Sequence, residues 1–165
     1  MFEDVNLLKN DVYDALVRKS DIRYNFVEVY SNYMKLMRDY GTGESINMVE
    51  VHTLTLIDEH PGIMAKEVAM MWNRTKGAVS QTLAKLEKRG FIERRKENGN
   101  AKNVYIYVTP EGKRLSEAHR MYDLKQLAWT DSELHKTFSH REIEDFYHVM
   151  QRYTELIKLI SEEHK

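Results

Sequence analysis

The segment Arg74–Arg95, RTKGAVSQTLAKLEKRGFIERR, constrains the fold of this chain more than any other stretch. Its apolar side chains recur at i, i+4 and i+7, namely Val79, Leu83 and Leu86. That period is typical of an α-helix that buries one face. Thr75 precedes the apolar stripe as an N-cap, and Gly90 follows it as a stop signal. The sequence therefore predicts a helix of about four turns between these two residues.

The opposite face of this helix is polar and favours contact with nucleic acid. It carries Lys76, Ser80, Gln81 and Lys85, and Gly77 keeps the first turn slim. An ammonium, a hydroxyl and an amide on the first turns of a helix match the phosphates and base edges of the DNA major groove. The alternative is a solvated face with no partner. We predict that Thr75, Lys76, Gly77, Ser80 and Gln81 lie at the DNA and that Lys85 contacts phosphates.

The segments on either side complete a motif. Gly62–Trp72 indicates a shorter helix packed behind the first, and Phe91–Thr109 alternates like two strands around a Gly-Asn turn. Helix, turn, helix and β-hairpin form a winged helix-turn-helix, whose second helix enters the major groove. Side chains alternate across a strand, so Arg94 or Lys96, but not the intervening Arg95, is expected near the phosphates.

Several short motifs follow one another here in a characteristic order. They are E-V-A (Glu67–Ala69), T-K-G-A-V-S-Q (Thr75–Gln81), L-E-K-R-G-F-I (Leu86–Ile92) and V-T-P-E-G (Val108–Gly112). In order and spacing they resemble the MarR family of bacterial transcription factors. The triplets His52-Thr53-Leu54 and Pro61-Gly62-Ile63 also look like that family, and the resemblance covers roughly residues 20–160.

The resemblance implies a homodimer that binds double-stranded DNA and is released by a small-molecule effector. Relatives commonly bind phenolic, lipidic or drug-like effectors, and some sense zinc through histidine and carboxylate ligands. In the wing, the family usually carries an Asp and, two residues later, an Arg, where this chain has Asn100 and Lys102. Lys102 is expected to enter or border the minor groove. It should add little sequence preference, because Lys is a strongly hydrated point charge on a flexible stem.

The charge of the chain is divided unevenly along its length. Its formal net charge is -1, yet residues 66–102 hold ten Lys and Arg against four Glu, a local net of +6 that leaves -7 for the rest. A basic DNA-contacting unit on an acidic body attracts phosphates at one face, without nonspecific attraction of anions over the rest of the surface. Charge runs are often solvated faces, but this one coincides with the helix-turn-helix pattern.

Composition excludes several other classes of protein. The chain has no cysteine, which excludes disulfides, thiolate metal sites and cysteine-based redox sensing. The N-terminal residues lack the pattern of a signal peptide, and no apolar run approaches the roughly 20 residues that span a membrane. We expect a cytoplasmic protein. Phosphate-binding loops, nucleophile elbows and HExxH motifs are absent, so we expect no enzyme and no cofactor.

The remaining helices are expected to build a dimerisation body around the DNA-binding unit. Helical periodicity predicts helices at 2–19, 21–40, 47–59, 110–129 and 131–136, and a last helix that begins at a Ser139–Glu142 capping box. The fold class is therefore mainly α with a small β-hairpin wing. We expect a single domain over 1–165, with a winged helix-turn-helix at 46–109. Helices at 2–40 and 110–162 should pair two chains, because their apolar stripes exceed what one chain covers.

Two ligand hypotheses remain open from the sequence. An effector cleft is predicted where the helical body meets the DNA-binding unit, lined by Tyr30, Tyr33, Met34, His52, Trp72 and Tyr122. The alternative is that these side chains belong to the core. His140, Glu144 and His148 follow at i, i+4 and i+8, a spacing that brings neighbouring pairs to one helix face. A metal-responsive regulator is thus an alternative, and a winged-helix interaction protein without DNA binding is another.

Overall fold

The computed structural model describes residues 10–96 and 103–163, and these are mainly helical. In chain order the elements are α1 (Asn10–Lys35), β1 (Met37–Asp39), β2 (Ser45–Asn47), α2 (Met48–Glu59), α3 (Ala65–Met71), α4 (Lys76–Lys88), β3 (Ile92–Arg95), β4 (Tyr105–Val108), α5 (Pro110–His135) and α6 (His140–Glu163). The chain forms two compact units, Met1–His119 and Arg120–Lys165. Within the described ranges, no helix has the length and apolar character needed to cross a membrane.

The core of the first unit forms around α2 and α4. The apolar stripe predicted from the sequence, Val79, Leu83 and Leu86, is buried to 3% exposure or less. It packs in one cluster with apolar side chains of α2, the wing and the start of α5, including Val51, Leu54, Ile57, Phe91, Ile106 and Leu115. Full burial of an aliphatic or phenyl side chain contributes about 1.5–3 kcal/mol. This core therefore fixes α4 rigidly with its polar face outward.

The wing is an antiparallel pair of β3 and β4. Ile92 lies opposite Val108, and Arg95 lies opposite Tyr105. Ile63 extends the sheet through a bridge to Ile106. For this reason the helix predicted from Gly62 begins only at Ala65: Gly62 lies in a turn, and both Gly62 and Ile63 are hydrogen-bonded to Ile106 of the wing.

The N-terminal prediction of two helices, 2–19 and 21–40, is wrong over the described residues. α1 continues without a break from Asn10 to Lys35, because nothing at residue 20 ends a helix. It also ends five residues early, and β1 and β2 pair from Met37↔Asn47 to Asp39↔Ser45. Gly41 and Gly43, with φ of 89° and 82°, form the turn of this hairpin.

The helices after the wing also differ from the prediction in one respect. The sequence predicts separate helices at 110–129 and 131–136, whereas α5 runs unbroken from Pro110 to His135. Thr130 does not interrupt it, because its hydroxyl donates back to the Gln126 carbonyl at 2.9 Å. The predicted capping box at the start of α6 is present: the amide and hydroxyl of Ser139 donate to Glu142 Oε2 at 2.8 and 2.7 Å. These two bonds lower the pKa of the Glu142 carboxyl.

Candidate DNA-binding interface

The recognition helix α4 begins at a well-defined cap. Thr75 is in the extended region, and its hydroxyl oxygen accepts the Ala78 amide at 3.2 Å. The turn that leads into it uses Asn73, whose φ of 48° lies in the left-handed region. The Arg74 amide then donates to the Ala69 carbonyl of α3 at 2.9 Å. These bonds set the angle between the two helices of the helix-turn-helix.

The first turns of α4 present a polar, exposed face. Thr75, Lys76, Gly77, Ser80 and Gln81 are all exposed. A Cβ atom built on Gly77 would meet nothing within 4 Å, so packing inside the chain does not require a glycine there. The face is thus open to close approach by a large ligand, and its hydroxyl, amide and ammonium groups are brought together as the sequence predicts.

Lys85, one helical turn further on, is in a different environment. Its ammonium lies 3.3 Å from Oε1 of Glu50, a carboxylate in the first turn of α2 that is buried. Oε2 of the same carboxylate lies 3.8 Å from Arg89 Nη1. The sequence predicts a capping box between Asn47 and Glu50 at the start of α2, and it gives no sign of a contact between Glu50 and α4. Only half of that box forms: Asn47 accepts the Glu50 amide at 2.9 Å, while the Glu50 carboxylate lies at α4.

Arg89 completes this cluster. Its Nη2 donates to Glu44 Oε2 and to the Ser45 carbonyl, both at 2.9 Å. Its guanidinium also lies over the Phe91 ring, 4.8 Å from the centroid. The arginine therefore joins the end of α4 to β2 and to the first residue of the wing.

The wing cations are largely paired with acidic neighbours. Arg94 Nε lies 3.1 Å from Glu87 Oε2, which ties β3 to α4. Arg95 pairs with Glu93 and stacks over Tyr107 at 4.6 Å. Lys96 is exposed at the end of the described part of the wing. Asn100 and Lys102 lie outside the described residues, so their roles in the minor groove stay predictions.

The predicted effector residues are only partly brought together. In the first unit, Tyr30 and Tyr33 are neighbours on α1, with ring centroids 6.2 Å apart. His52 meets Trp72 edge-on at 6.1 Å. Met34 is half-buried on α1. Tyr122 belongs to the second unit, where its hydroxyl donates to Gln126 at 3.3 Å.

Two features near these side chains were missed by sequence reasoning. Arg38 donates to the Tyr33 hydroxyl at 3.0 Å and lies over its ring. His119, buried on α5, packs its ring 4.7 Å from that of His52 and 5.0 Å from that of Tyr40. Residues far apart in sequence form these contacts, and no local pattern predicts them.

The histidine triplet of α6 is exposed. His140, Glu144 and His148 all lie on the surface of the single chain, and the His140 ring stacks on that of His135 at 5.9 Å. In the ranges that the structure describes, their ligand atoms do not converge as a metal site requires. An apolar cavity of about 360 Å³ lies next to the start of this helix, lined by Leu134, Phe138, Glu142, Ile143 and Phe146.

The fold and the exposed polar helix define a winged helix-turn-helix protein of the DNA-binding, transcription-regulating class. The model of the MarR family matches residues 46–104, which contain α2 to α4 and most of the wing. Over these residues the chain is similar to the MarR family.

Comparison with known proteins agrees with this assignment. The chain is 28% identical over 117 residues to the uncharacterized HTH-type transcriptional regulator YhjH of Bacillus subtilis (strain 168), covering 70% of this chain and 67% of YhjH. The crystal structure of MarR is 28% identical, with a TM-score of 0.51, and the match covers 68% of this chain and 79% of MarR. Streptococcus pneumoniae FabT in complex with DNA has a TM-score of 0.63 at 20% identity, with 90% and 99% covered.

Proposed function

We propose that this chain is a sequence-specific transcriptional repressor that binds a pseudo-palindromic operator in the cytoplasm as a homodimer and is released by a small-molecule effector. The observation that carries the proposal is the exposed polar face of α4, held outward by the three buried residues of its apolar stripe. The solved complex of FabT with DNA, which has the same fold, supports it. We propose no catalytic activity, since the relatives are transcriptional regulators.

The side chains of α4 are suited by their chemistry to different contacts, some to base edges and others to phosphates. The Gln81 amide has a donor and an acceptor, and can therefore bond bidentately to adenine. The Ser80 hydroxyl suits either a base edge or a phosphate, and the Lys76 ammonium suits a phosphate near the helix N-terminus. Gly77, with open space around it, lets the backbone of the first turn come close to the DNA.

The dimer proposal rests on uncovered apolar surface. On α6, large apolar side chains stay exposed in the single chain: Phe146, Tyr147, Val149, Met150, Tyr153, Leu156, Ile157, Leu159 and Ile160. On α1, the same holds for Val12, Tyr13, Leu16, Val17, Ile22, Tyr24, Phe26, Val27, Val29 and Tyr30. Soluble proteins rarely leave apolar patches of this extent open to water. A two-fold dimer covers such faces and sets two recognition helices about 34–36 Å apart, one turn of DNA.

The effector proposal rests on the aromatic side chains of the first unit. Arg38 and Tyr33 together offer a cation, a hydroxyl and a ring face, and His52 and Trp72 offer further rings near the end of α3. An aromatic acid matches the Arg38–Tyr33 pair, because its ring stacks and its carboxylate pairs with the guanidinium. Trp72 follows α3 directly, so a ligand there would bear on the angle of the helix-turn-helix.

The experiment is a gel-shift assay on a library of genomic fragments at several salt concentrations. We expect a subset of fragments to bind far more tightly than random duplex, and the affinity to fall steeply with salt because counterions are released from phosphates. Sequencing the bound fragments should give an inverted repeat. If no fragment binds at low salt, while the protein is folded and captures another protein, the interaction-protein alternative is correct.

A further inference from the structure

The ion pair between Lys85 and Glu50 has an unusual asymmetry. The Lys85 side chain is 66% exposed, whereas that of Glu50 is 9% exposed. Exposed ion pairs are weak and give way easily to a competing phosphate. A buried carboxylate that loses its partner, in contrast, keeps the full cost of desolvation. The buried Glu50 carboxylate therefore determines the position of the exposed Lys85 ammonium.

Arg89 does not replace Lys85 as the cation that neutralises the Glu50 carboxylate. It lies 3.8 Å from the Glu50 carboxylate, beyond hydrogen-bond distance, and donates instead to Glu44 and to the Ser45 carbonyl. Glu44, Glu50, Lys85 and Arg89, the Glu50 cluster, thus contain two carboxylates and two cations. The two negative and two positive charges sum to zero, so these four residues add no net charge to the C-terminal half of α4.

We infer that Glu50 is a positioning residue for DNA recognition, which holds Lys85 away from the phosphates and so lowers the phosphate attraction of the C-terminal half of α4. The inference rests on the proposed function. By removing a sequence-independent contact, the Glu50 cluster raises the share of binding that depends on base edges, because phosphate contacts carry no sequence information. It also replaces the direct phosphate contact that the sequence predicts for Lys85.

The alternative is that the cluster only ties α2 to α4. In that case, breaking it loosens the recognition helix and weakens all DNA alike, with no new phosphate contact. The two accounts differ in the slope of log K against log salt concentration, which counts the phosphates neutralised. A loosened helix does not make this slope steeper, whereas a released lysine does.

The test compares Glu50→Gln with the unaltered full chain by fluorescence anisotropy. The two DNAs are a duplex selected from a random pool by the unaltered protein and a random duplex, each titrated between 50 and 200 mM salt. Glutamine keeps the shape and still accepts a hydrogen bond, but frees one positive charge. We expect the slope to steepen by about 0.9 per protomer, or about 1.8 for the homodimer, which corresponds to about a 12-fold larger loss over this salt range. Random DNA should bind more tightly at low salt, so that the ratio of selected to random affinity falls.

Three further variants make the test specific. Lys85→Ala in the Glu50→Gln background should return the slope to that of the unaltered protein. Glu50→Asp keeps the charge and should keep the slope. Glu117→Gln makes the same charge change at an exposed residue of α5 and controls for net charge. A slope that rises equally in Glu117→Gln, or that Lys85→Ala does not restore, overturns the inference.

Thermal denaturation checks that each variant folds. If Glu50→Gln does not fold, Lys85→Ala alone tests the inference. In Lys85→Ala alone, affinity should drop for both DNAs because Glu50 is left with excess negative charge, but the slope should be kept. A slope flatter by about 0.9 per protomer would mean that Lys85 contacts a phosphate and that the inference is wrong. Failure of the unaltered protein to bind either duplex would instead refute the proposed function.

Discussion

The contact between Gly112 and Phe91 gives the sharpest stability prediction for this fold. Gly112 lies in the first turn of α5, against the backbone where β3 begins. A Cβ atom there would sit 1.9 Å from the Phe91 carbonyl oxygen and 2.8 Å from its carbon. Nonbonded heavy atoms rest at about 3.5 Å, so one backbone must move by more than about 1 Å. No rotamer relieves the clash, since both partners belong to the main chain or are fixed to it.

The surrounding hydrogen bonds oppose that movement. The Thr109 amide donates to the same Phe91 carbonyl at 3.0 Å, and the Thr109 hydroxyl donates to the Gly90 carbonyl at 2.7 Å. The Gly112 amide in turn donates to the Thr109 hydroxyl at 3.1 Å. Overpacking costs about 1–3 kcal/mol, and one or two disturbed hydrogen bonds add about 1 kcal/mol each. Alanine recovers at most about 1 kcal/mol of helix propensity. Gly112→Ala should therefore lower the free energy of unfolding by about 1–4 kcal/mol.

The assay is urea denaturation followed by far-UV circular dichroism, with Gly77→Ala as the matched control. Gly77 is also in the first turn of a helix, but its Cβ would meet nothing within 4 Å. Gly77→Ala should be neutral or stabilise by up to about 1 kcal/mol, while losing DNA affinity if the backbone approaches the bases. If Gly112→Ala matches the unaltered protein within about 0.5 kcal/mol, the size of a typical surface effect, the geometric argument is wrong.

Three further measurements test the recognition helix, the dimer and the last helix. Gln81→Ala should cost about 1–3 kcal/mol on a selected operator and relax preference at one or two positions per half-site; an equal loss on random DNA would contradict a base contact. Light scattering at micromolar concentration should report twice the chain mass of 19.6 kDa, and a monomer at every concentration would contradict the dimer. Ser139→Ala should raise the pKa of Glu142 towards its ordinary value in an NMR titration, because it removes the hydroxyl bond, the larger of the two Ser139 bonds that lower this pKa. The pKa of Glu142 is lower in the folded than in the unfolded protein, so the cap stabilises the fold at pH values above the unfolded pKa. This stabilisation is lost as the pH falls through the folded pKa. An unchanged pKa of Glu142 in Ser139→Ala would contradict the prediction.

The parts of the fold that could be predicted are those determined by short-range pattern. The stripe of α4, its Thr75 cap and the Asn47 cap of α2 each depend on residues within two turns, and all are present. The wing strands follow from alternation and are likewise confirmed. Such signals work because capping bonds and one-sided burial act within a single element.

The parts that could not be predicted depend on contacts between elements or on weak stop signals. The helix predicted at 21–40 ends at the Gly41 signal, yet Gly41 and Gly43 form a hairpin turn in which three successive backbone amides of residues 41–43 bond to the Asp39 carboxylate at 2.8–3.0 Å. A glycine signals a positive φ, and both a helix end and a hairpin turn use one. The pairing of β1 with β2, over only three residues each, has no periodicity to detect.

The same limit explains why the polar face of α4 was predicted and its electrostatics were not. A count of charges between residues 66 and 102 gives +6, but a window in sequence is not a surface in space. Glu44 and Glu50 lie outside that window and balance Lys85 and Arg89 within it. Attraction between charges decays over about 10 Å at ordinary salt, so a carboxylate 3 Å away outweighs any count along the chain. The exposed Lys76 ammonium lies in the first turn, near the Gln81 amide and the Ser80 hydroxyl, and is not part of this balance. By balancing Lys85, the buried Glu50 lowers the positive charge that the C-terminal half of α4, which also carries Lys88, presents to DNA.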